Sequence, residues 1–396
     1  MRIALIVTDL SPPRIGGISK VATSLAENLG NSGHEVVVYT LERSASLHEG
    51  KSYQVIPVRP RWMLYSDYPV VSFSLSAFKR VLEDHRKEAF DVSHAMNFNN
   101  FALTFYRRSM SKEGLAHVST AFETTQMEIR AKWKDFLEKP GIHNLAQIVM
   151  ECLLAPWQRS YIGWGDAICT EDEETREGLA EMGIPPENVD LIPSGVQLSD
   201  YLGFDSPSPQ KGLYWLCPGR VDPRKGNPTL IRAYAKLVNS GALPPPLFFV
   251  GGGRGDHLQG MRTLSHELGV DGQIHFTGKV DDLRPWYQHA QAVLLPSLSE
   301  GIPITLQEAL AFNQKIVCSK LKGTYAFASQ VSSIKWAEPG SQENWQQALS
   351  ALLRSGESSI KGEGQKFMKD HDWPKVAKRY LKLYEKAIQK LKAFAK

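Results

Sequence analysis

Short apolar runs alternate with helix-length amphipathic stretches along this chain, and that alternation restricts it to a parallel-sheet α/β architecture. Residues 2–7 form a first strand, followed by a loop over residues 8–14 and a helix carrying Val21, Leu25 and Leu29 on one face. Strand-like runs recur at residues 33–40, 90–94, 116–120, 166–170 and 189–193. A second series occupies residues 214–218, 246–250, 273–280, 291–295 and 315–319. A helix over residues 228–238 puts Leu230, Ala233, Tyr234 and Leu237 on one face. Repeated βα units with right-handed crossovers build parallel sheets. Two such series, separated by the Pro- and Ser-rich segment 204–212 as the interdomain linker, predict two facing Rossmann-like doubly wound domains with a ligand cleft between them.

Length and charge fit this reading. The 396 residues give room for two domains that each bury a core. A formal net charge of +4 is too modest to imply nucleic acid as a partner. The cysteines Cys152, Cys169, Cys217 and Cys318 are scattered without a C-x-x-C pair and read as buried, reduced thiols of a cytosolic protein. No signal peptide is visible, because the N-terminus is already a core strand. The most apolar segment, residues 148–157, is interrupted by Glu151 and is too short to span a membrane, so it is expected to be a core helix.

Glu300 and Glu308 are the most informative pair of side chains. The run Ala292-Val293-Leu294-Leu295 is a buried parallel strand, which Pro296 ends. Gly301 and Pro303 shape a tight loop, and a helix starts near Pro303. One carboxylate therefore lies in the loop and the other about a turn and a half into the helix, both at the carboxyl end of a strand, where open α/β sheets bind ligands. The helix start between them offers free N–H groups and a positive dipole end. That layout suits a diphosphate carrying a hydroxyl-rich sugar at either end, as in a nucleotide sugar.

Two further clusters sit after strands. Gly219-Arg220-Val221-Asp222-Pro223-Arg224-Lys225-Gly226 follows the run 214–218 and reads as an exposed basic turn or as an anion site. Gly16-Gly17 opens the first helix without the full G-x-G-x-x-G spacing, and the missing Cβ atoms let backbone approach a ligand.

Pro296-Ser297-x-x-Glu300-Gly301-x-Pro303 with Glu308 is similar to the E-x7-E signature of family-4 (GT4) retaining glycosyltransferases, which adopt the GT-B fold. The Arg220–Lys225 cluster resembles that family's Gly-Arg…Lys-Gly element, Gly16-Gly17 its phosphate-approaching loop, and Phe276-x-Gly278-x-Val280 the segment that meets the nucleobase. Residues 193–196 resemble its Pro-Asn-Gly-Val turn, with Ser194 in place of Asn.

The resemblance implies an N-terminal acceptor-binding domain over residues 1–200, a nucleotide-sugar-binding domain over 201–375, and a terminal helix, 376–396, packing back on the first domain. It implies that Arg220 and Lys225 bind the donor diphosphate, stabilise the departing nucleoside diphosphate and stand in for a metal, so that no metal or other cofactor is expected. Glu300 would hold hydroxyls of the transferred sugar, backbone at Gly301, Ile302, Pro303 and Ile304 would touch sugar and phosphate, and Glu308 would grip the ribose diol. The donor is expected to be a UDP- or GDP-sugar and the acceptor a hydroxyl of a glycan, lipid or small molecule. Retention through front-face attack needs no paired-carboxylate double displacement.

The chain departs from the pattern at Glu123, which stands where the family often carries the His of Phe-His-Thr. A carboxylate there stabilises positive charge on the sugar, binds acceptor hydroxyls or alters the chemistry. His94, at another strand end, reads equally as structural. Residues 321–326 replace the family's Gly-Gly-x-x-Glu loop. The acidic clusters 171–174 and 281–282 read as helix starts or solvated residues rather than metal ligands. Competing functions are a GT-B-type sugar-nucleotide epimerase, a phosphorylase, or a non-catalytic sugar-nucleotide or glycan-binding protein. The terminal helix carries an apolar stripe of Val376, Tyr380, Leu383, Tyr384, Ala387 and Leu391 amid lysines. It reads first as a packed, solvated helix and second as a peripheral contact with anionic lipid at the inner face of the membrane. The aromatic-basic stretch 59–65 fits a membrane contact or an acceptor pocket.

Overall fold

The computed structural model describes residues 1–12, 16–41, 48, 50–60, 70–127, 129, 133, 142–253, 255–355 and 362–394. Its backbone divides into two units, Met1–Ser194 with Trp373–Lys396, and Gly195–Asp372.

In the first unit the elements run β1 (Arg2–Ile6), α1 (Gly17–Asn31), β2 (Glu35–Leu41), β3 (Gln54–Val58), α2 (Val70–Lys87), β4 (Val92–Met96), α3 (Leu103–Lys112), β5 (Ala116–Ala121), α4 (Ile142–Gly163), β6 (Ala167–Thr170), α5 (Glu173–Glu181) and β7 (Val189–Leu191). Among the described residues the strands form one parallel sheet in the order β3-β2-β1-β4-β5-β6-β7. Chain order reverses direction between β1 and β4, which makes their carboxyl ends the switch point where such sheets take ligands.

The second unit repeats the plan: β8 (Trp215–Pro218), α6 (Asn227–Asn239), β9 (Leu247–Val250), α7 (Gly255–Glu267), β10 (Ile274–Gly278), α8 (Arg284–His289), β11 (Ala292–Leu295), α9 (Ile304–Ala311), β12 (Ile316–Ser319), α10 (Lys322–Ala328), β13 (Ile334–Ala337), α11 (Gln342–Arg354) and α12 (Glu363–Met368). Its parallel order is β10-β9-β8-β11-β12-β13, with the switch between β8 and β11. Strands such as Ala292-Val293-Leu294-Leu295 are buried on both faces, because one apolar cluster holds Leu216, Val293 and Leu306 and the other Trp215, Leu230 and Leu294.

The chain ends in α13 (Trp373–Phe394), which belongs to the first unit and packs on β4, β5, β6 and α1. Its stripe of Val376, Tyr380, Leu383, Tyr384, Ala387 and Leu391 is buried. Tyr384 Oη and Thr120 Oγ1 lie 2.8 Å and 2.7 Å from the two ring nitrogens of His94. His94 is therefore an interior structural residue, held neutral by burial that lowers its pKa to about 3.

Several expectations change. Segment 204–212 is no linker: the division falls at Ser194/Gly195, and the segment is strapped to the second unit. Phe204 O accepts from Gln288 Nε2 at 2.8 Å, Ser206 Oγ donates to Gln288 Oε1 at 3.0 Å, and Arg284 covers the Phe204 ring at 4.6 Å. The chain passes into the second unit six residues before the boundary read at residue 200, and the final helix of the first unit begins at Trp373. Residues 148–157 are only half a core helix. Ile148 is buried, but Val149 and Trp157 are about half exposed and Cys152 is exposed, because α4 packs through one face. Positions 61–65 lie outside the described residues.

Candidate active site

The loops after β8 and β11 flank the switch point of the second sheet. After β8, Asp222 accepts from Arg224 N at 3.0 Å and caps a 3-10 turn over Pro223–Lys225. Gly226 then adopts a left-handed φ of 62° to start α6. A Cβ at that position would stand 2.0 Å from Pro296 O in the loop after β11. Only glycine lets the two loops touch there. Leu298 N donates to Arg224 O at 2.7 Å across the same contact.

That seam brings Lys225 and Glu300 together. Lys225 Nζ contacts Glu300 Oε1, although the two residues are 75 positions apart. Glu300 Oε2 is buried and has no hydrogen-bond partner. Burial, with the charges of Arg220 and Arg224 beside it, pulls the Lys225 ammonium down to about 8. Arg220 itself is exposed at the loop's rim. The backbone carbonyl of Gly301 is fixed from α10 by Thr324 Oγ1, which donates to it at 2.7 Å. Ile302 is buried, and Pro303 is the N-cap of α9 rather than its first residue, placing Ile304 at the helix start.

Glu308 lies in α9 and is 5% exposed. Tyr287 Oη, fully buried in α8, donates to its Oε2 at 2.8 Å and so fixes the carboxylate's direction. Sequence reasoning missed Tyr287; a Tyr beside Trp286 in a short amphipathic run was the available signal. Val280 lies just past β10 and packs partly against the core.

The remaining candidates belong to the first unit. Gly16 is the N-cap of α1, bracketed by Ser19 Oγ, which accepts from its N–H at 3.2 Å and donates to its carbonyl at 3.0 Å. A Cβ on Gly17 would meet nothing within 4 Å. Glu123 follows β5 in a tightly held loop. Phe122 N donates to Asn97 Oδ1 at 3.1 Å, and Gln158 accepts from Thr125 N at 2.7 Å while donating to Glu123 O at 3.4 Å. Asn97, at a φ of 53°, and Gln158 were not foreseen as supports.

Of the acidic clusters, Asp172 is the N-cap of α5 and accepts from Thr175 N at 2.8 Å, and Asp282 pairs with Arg284 at 2.8 Å. Glu171 is buried, and burial raises its carboxyl to about 8.

The chain matches two family models in succession: Glycosyltransferase Family 4 over residues 15–200 and Glycosyl transferases group 1 over residues 202–362. It belongs to the family-4 glycosyltransferases. This transferase is 21% identical to an uncharacterized glycosyltransferase of Methanocaldococcus jannaschii over 98% of its own length and 99% of the relative's. It is 24% identical, over 55% of its length and 60% of the relative's, to an N,N'-diacetylbacillosaminyl-diphospho-undecaprenol alpha-1,3-N-acetylgalactosaminyltransferase of Campylobacter jejuni. Among solved structures it is similar to Anabaena HepE in complex with UDP and glucose, with a TM-score of 0.69, 16% identity and coverage of 96% and 98% of the two chains. It is also similar to the sucrose-phosphate synthase of Thermosynechococcus elongatus, with a TM-score of 0.74, 17% identity and coverage of 97% and 98%. The transferase thus has the GT-B fold, with two parallel-sheet α/β domains.

Proposed function

We propose that this glycosyltransferase moves a sugar from a UDP- or GDP-sugar to a hydroxyl of a glycan or lipid-linked acceptor, with retention of anomeric configuration and without a divalent metal. The observation that carries this reading is the Lys225–Glu300 pair at the β8/β11 switch point: an anion-seeking ammonium touches a carboxylate whose second oxygen is a buried, unpaired acceptor. A buried acceptor without a partner costs about 1–3 kcal/mol. A sugar hydroxyl donating to Glu300 Oε2 removes that cost while the diphosphate draws on Lys225. As the glycosidic bond breaks, charge gathers on the leaving diphosphate, where Arg220 and Lys225 stabilise it. These two fixed cations supply what a divalent ion supplies elsewhere. Glu308, aimed by Tyr287, accepts from the two ribose hydroxyls.

Gly17 leaves open space at the start of α1, where it and Gly16 admit phosphate or acceptor. Glu123 stabilises positive charge on the sugar or receives acceptor hydroxyls. The Anabaena complex with UDP supports a uridine donor, and the Campylobacter relative, named for a diphospho-undecaprenol substrate, supports a lipid-linked acceptor.

A thermal-shift screen of UDP-, GDP- and ADP-sugars tests the donor, since a ligand bound to the native state raises its melting midpoint. Transfer from the donor so identified is then followed by NMR in the presence and absence of EDTA. The expected product keeps the donor's anomeric configuration at an unchanged rate with EDTA. An inverted product, or a rate abolished by EDTA and restored by a divalent ion, overturns the corresponding part of the proposal.

A further inference from the structure

A cleft of about 550 Å³ opens on the first unit. Trp164, Gly165 and Asp166, which line it, immediately precede β6. Asp166 N donates to His117 O at 2.8 Å, and Asp166 Oδ2 accepts from His117 N at 2.9 Å, near the start of β5. The cleft therefore sits at the amino end of this sheet, whereas Gly16, Gly17 and Glu123 follow carboxyl ends.

Its lining is built to take an anion. Arg107 Nη2 pairs with Asp166 Oδ1 at 2.5 Å, but Arg107 Nη1 is buried without a hydrogen-bond partner. One turn earlier on α3, Thr104 Oγ1 is also buried and unpartnered. Both residues line the cleft. Asp166 is the acidic side chain in the lining, 1% exposed and with both oxygens already bonded. Arg108 and Lys390, both exposed, leave the outward face positive.

Large aromatic side chains from three separate segments surround these polar groups. Phe105 is 57% exposed, Trp164 45% and Phe394 77%. Aromatic rings beside cations, open to solvent, are the composition of proteins that lie in the headgroup layer of a bilayer. A free phosphate would use the cations and leave three aromatic rings in water, and a neutral apolar partner would leave the Arg107 N–H unpaired.

We propose that this cleft seats the phosphate of an anionic phospholipid, with Phe105, Trp164 and Phe394 entering the interfacial layer around it. The site is independent of the reading given for the donor.

Co-sedimentation with vesicles at about 0.1 M salt tests it. The protein is expected to sediment with phosphatidylcholine vesicles containing phosphatidylglycerol and not with phosphatidylcholine alone. Each neutralised cation, in Arg108→Ala and Lys390→Ala, weakens partitioning roughly fivefold. Trp164→Ala and Phe394→Ser weaken it as well, with melting midpoints unchanged. Lys378→Ala and Lys382→Ala, exposed lysines nearer the start of α13, leave it intact. Failure to bind the anionic vesicles overturns the proposal. So does equal loss in the control lysine variants, or indifference to the aromatic substitutions. Stabilisation by soluble glycerol phosphate without vesicle recruitment assigns the cleft to a free anion and overturns the lipid assignment.

Discussion

Lys225 is the residue whose protonation controls the proposed donor site. Its ammonium is pulled down to about 8 by burial and by Arg220 and Arg224, so the free protein loses this charge as pH rises through 8. A diphosphate binds the charged form. Donor affinity is therefore expected to be flat near pH 7 and to fall towards about tenfold per pH unit once the pH is well above 8. Titration calorimetry of the nucleoside diphosphate between pH 7 and 9.5 measures this, and a flat profile contradicts the role given to Lys225. Lys225→Ala should remove the pH-dependent fall and lower kcat/KM by roughly 10²–10³-fold, the range for losing one fixed stabiliser of developing charge. Glu308→Ala should act on the other end of the donor, chiefly as a rise in KM. Near-normal kcat/KM in both variants would sink the assignment.

At the scale of elements, the site depends on contacts between neighbouring segments of the second unit. Tyr287 reaches from α8 to Glu308 in α9. Tyr287→Phe leaves the packing and removes the hydroxyl, a loss of about 1–2 kcal/mol in orienting Glu308. Donor KM should rise roughly five- to thirtyfold with kcat little changed. If kcat falls instead with KM constant, Tyr287 does not act through ribose binding. Gly226→Ala forces a left-handed residue to carry a side chain, costing about 1–2 kcal/mol before the clash with Pro296 O is counted. Its urea midpoint should drop and its activity should vanish, because the seam holding Lys225 against Glu300 opens.

These contacts also mark what the sequence could and could not express. Continuous apolar runs such as Ala292-Val293-Leu294-Leu295 announce central parallel strands directly. The edge strands β3 and β13 escaped notice because they are only part-buried, and β3 carries Pro57, which edge positions tolerate. The segment 204–212 has a linker's composition, and only the side chains of Gln288, His289 and Arg284 reveal it as a strap. Lys225, Glu300 and Glu308 stand out in the sequence through their resemblance to family motifs, and the structure brings Lys225 and Glu300 into contact. Their support by Gly226, Tyr287 and Thr324 is tertiary, and no local pattern encodes it.

At the scale of the whole molecule, stability near neutral pH turns on a carboxyl that ends no catalytic loop. Glu171 follows β6, and Ser194, the last residue of the first unit before the chain enters the second, donates to it through both its side chain and its backbone N–H. Burial outweighs those bonds and raises the carboxyl from 4.5 to about 8, while its Oε1 has no partner. The folded chain therefore keeps a proton that the unfolded chain releases above pH 4.5. This contribution is full below pH 4.5, declines as pH rises, and is gone once the pH passes about 8. His94 works in the opposite sense, since its pKa is lowered from 6.5 to about 3 and its contribution is lost only as pH falls below 6.5. The buried His117 shifts the same way as His94. Between pH 6.5 and 8 the folded histidines are neutral and each unfolded one loses only its last half-proton, whereas Glu171 differs by close to a full proton over most of the interval. Stability of the first unit should thus fall by roughly 1–2 kcal/mol across that interval. Glu171→Gln keeps the shape of the group without its proton equilibrium, so its urea midpoint should not fall from pH 6.5 to 8. Hydrogen exchange at β6, measured at both pH values, reports the same difference locally. Equal declines in the two proteins would place the pH dependence elsewhere, and a rise in the wild type would contradict the buried, protonated state of Glu171 itself.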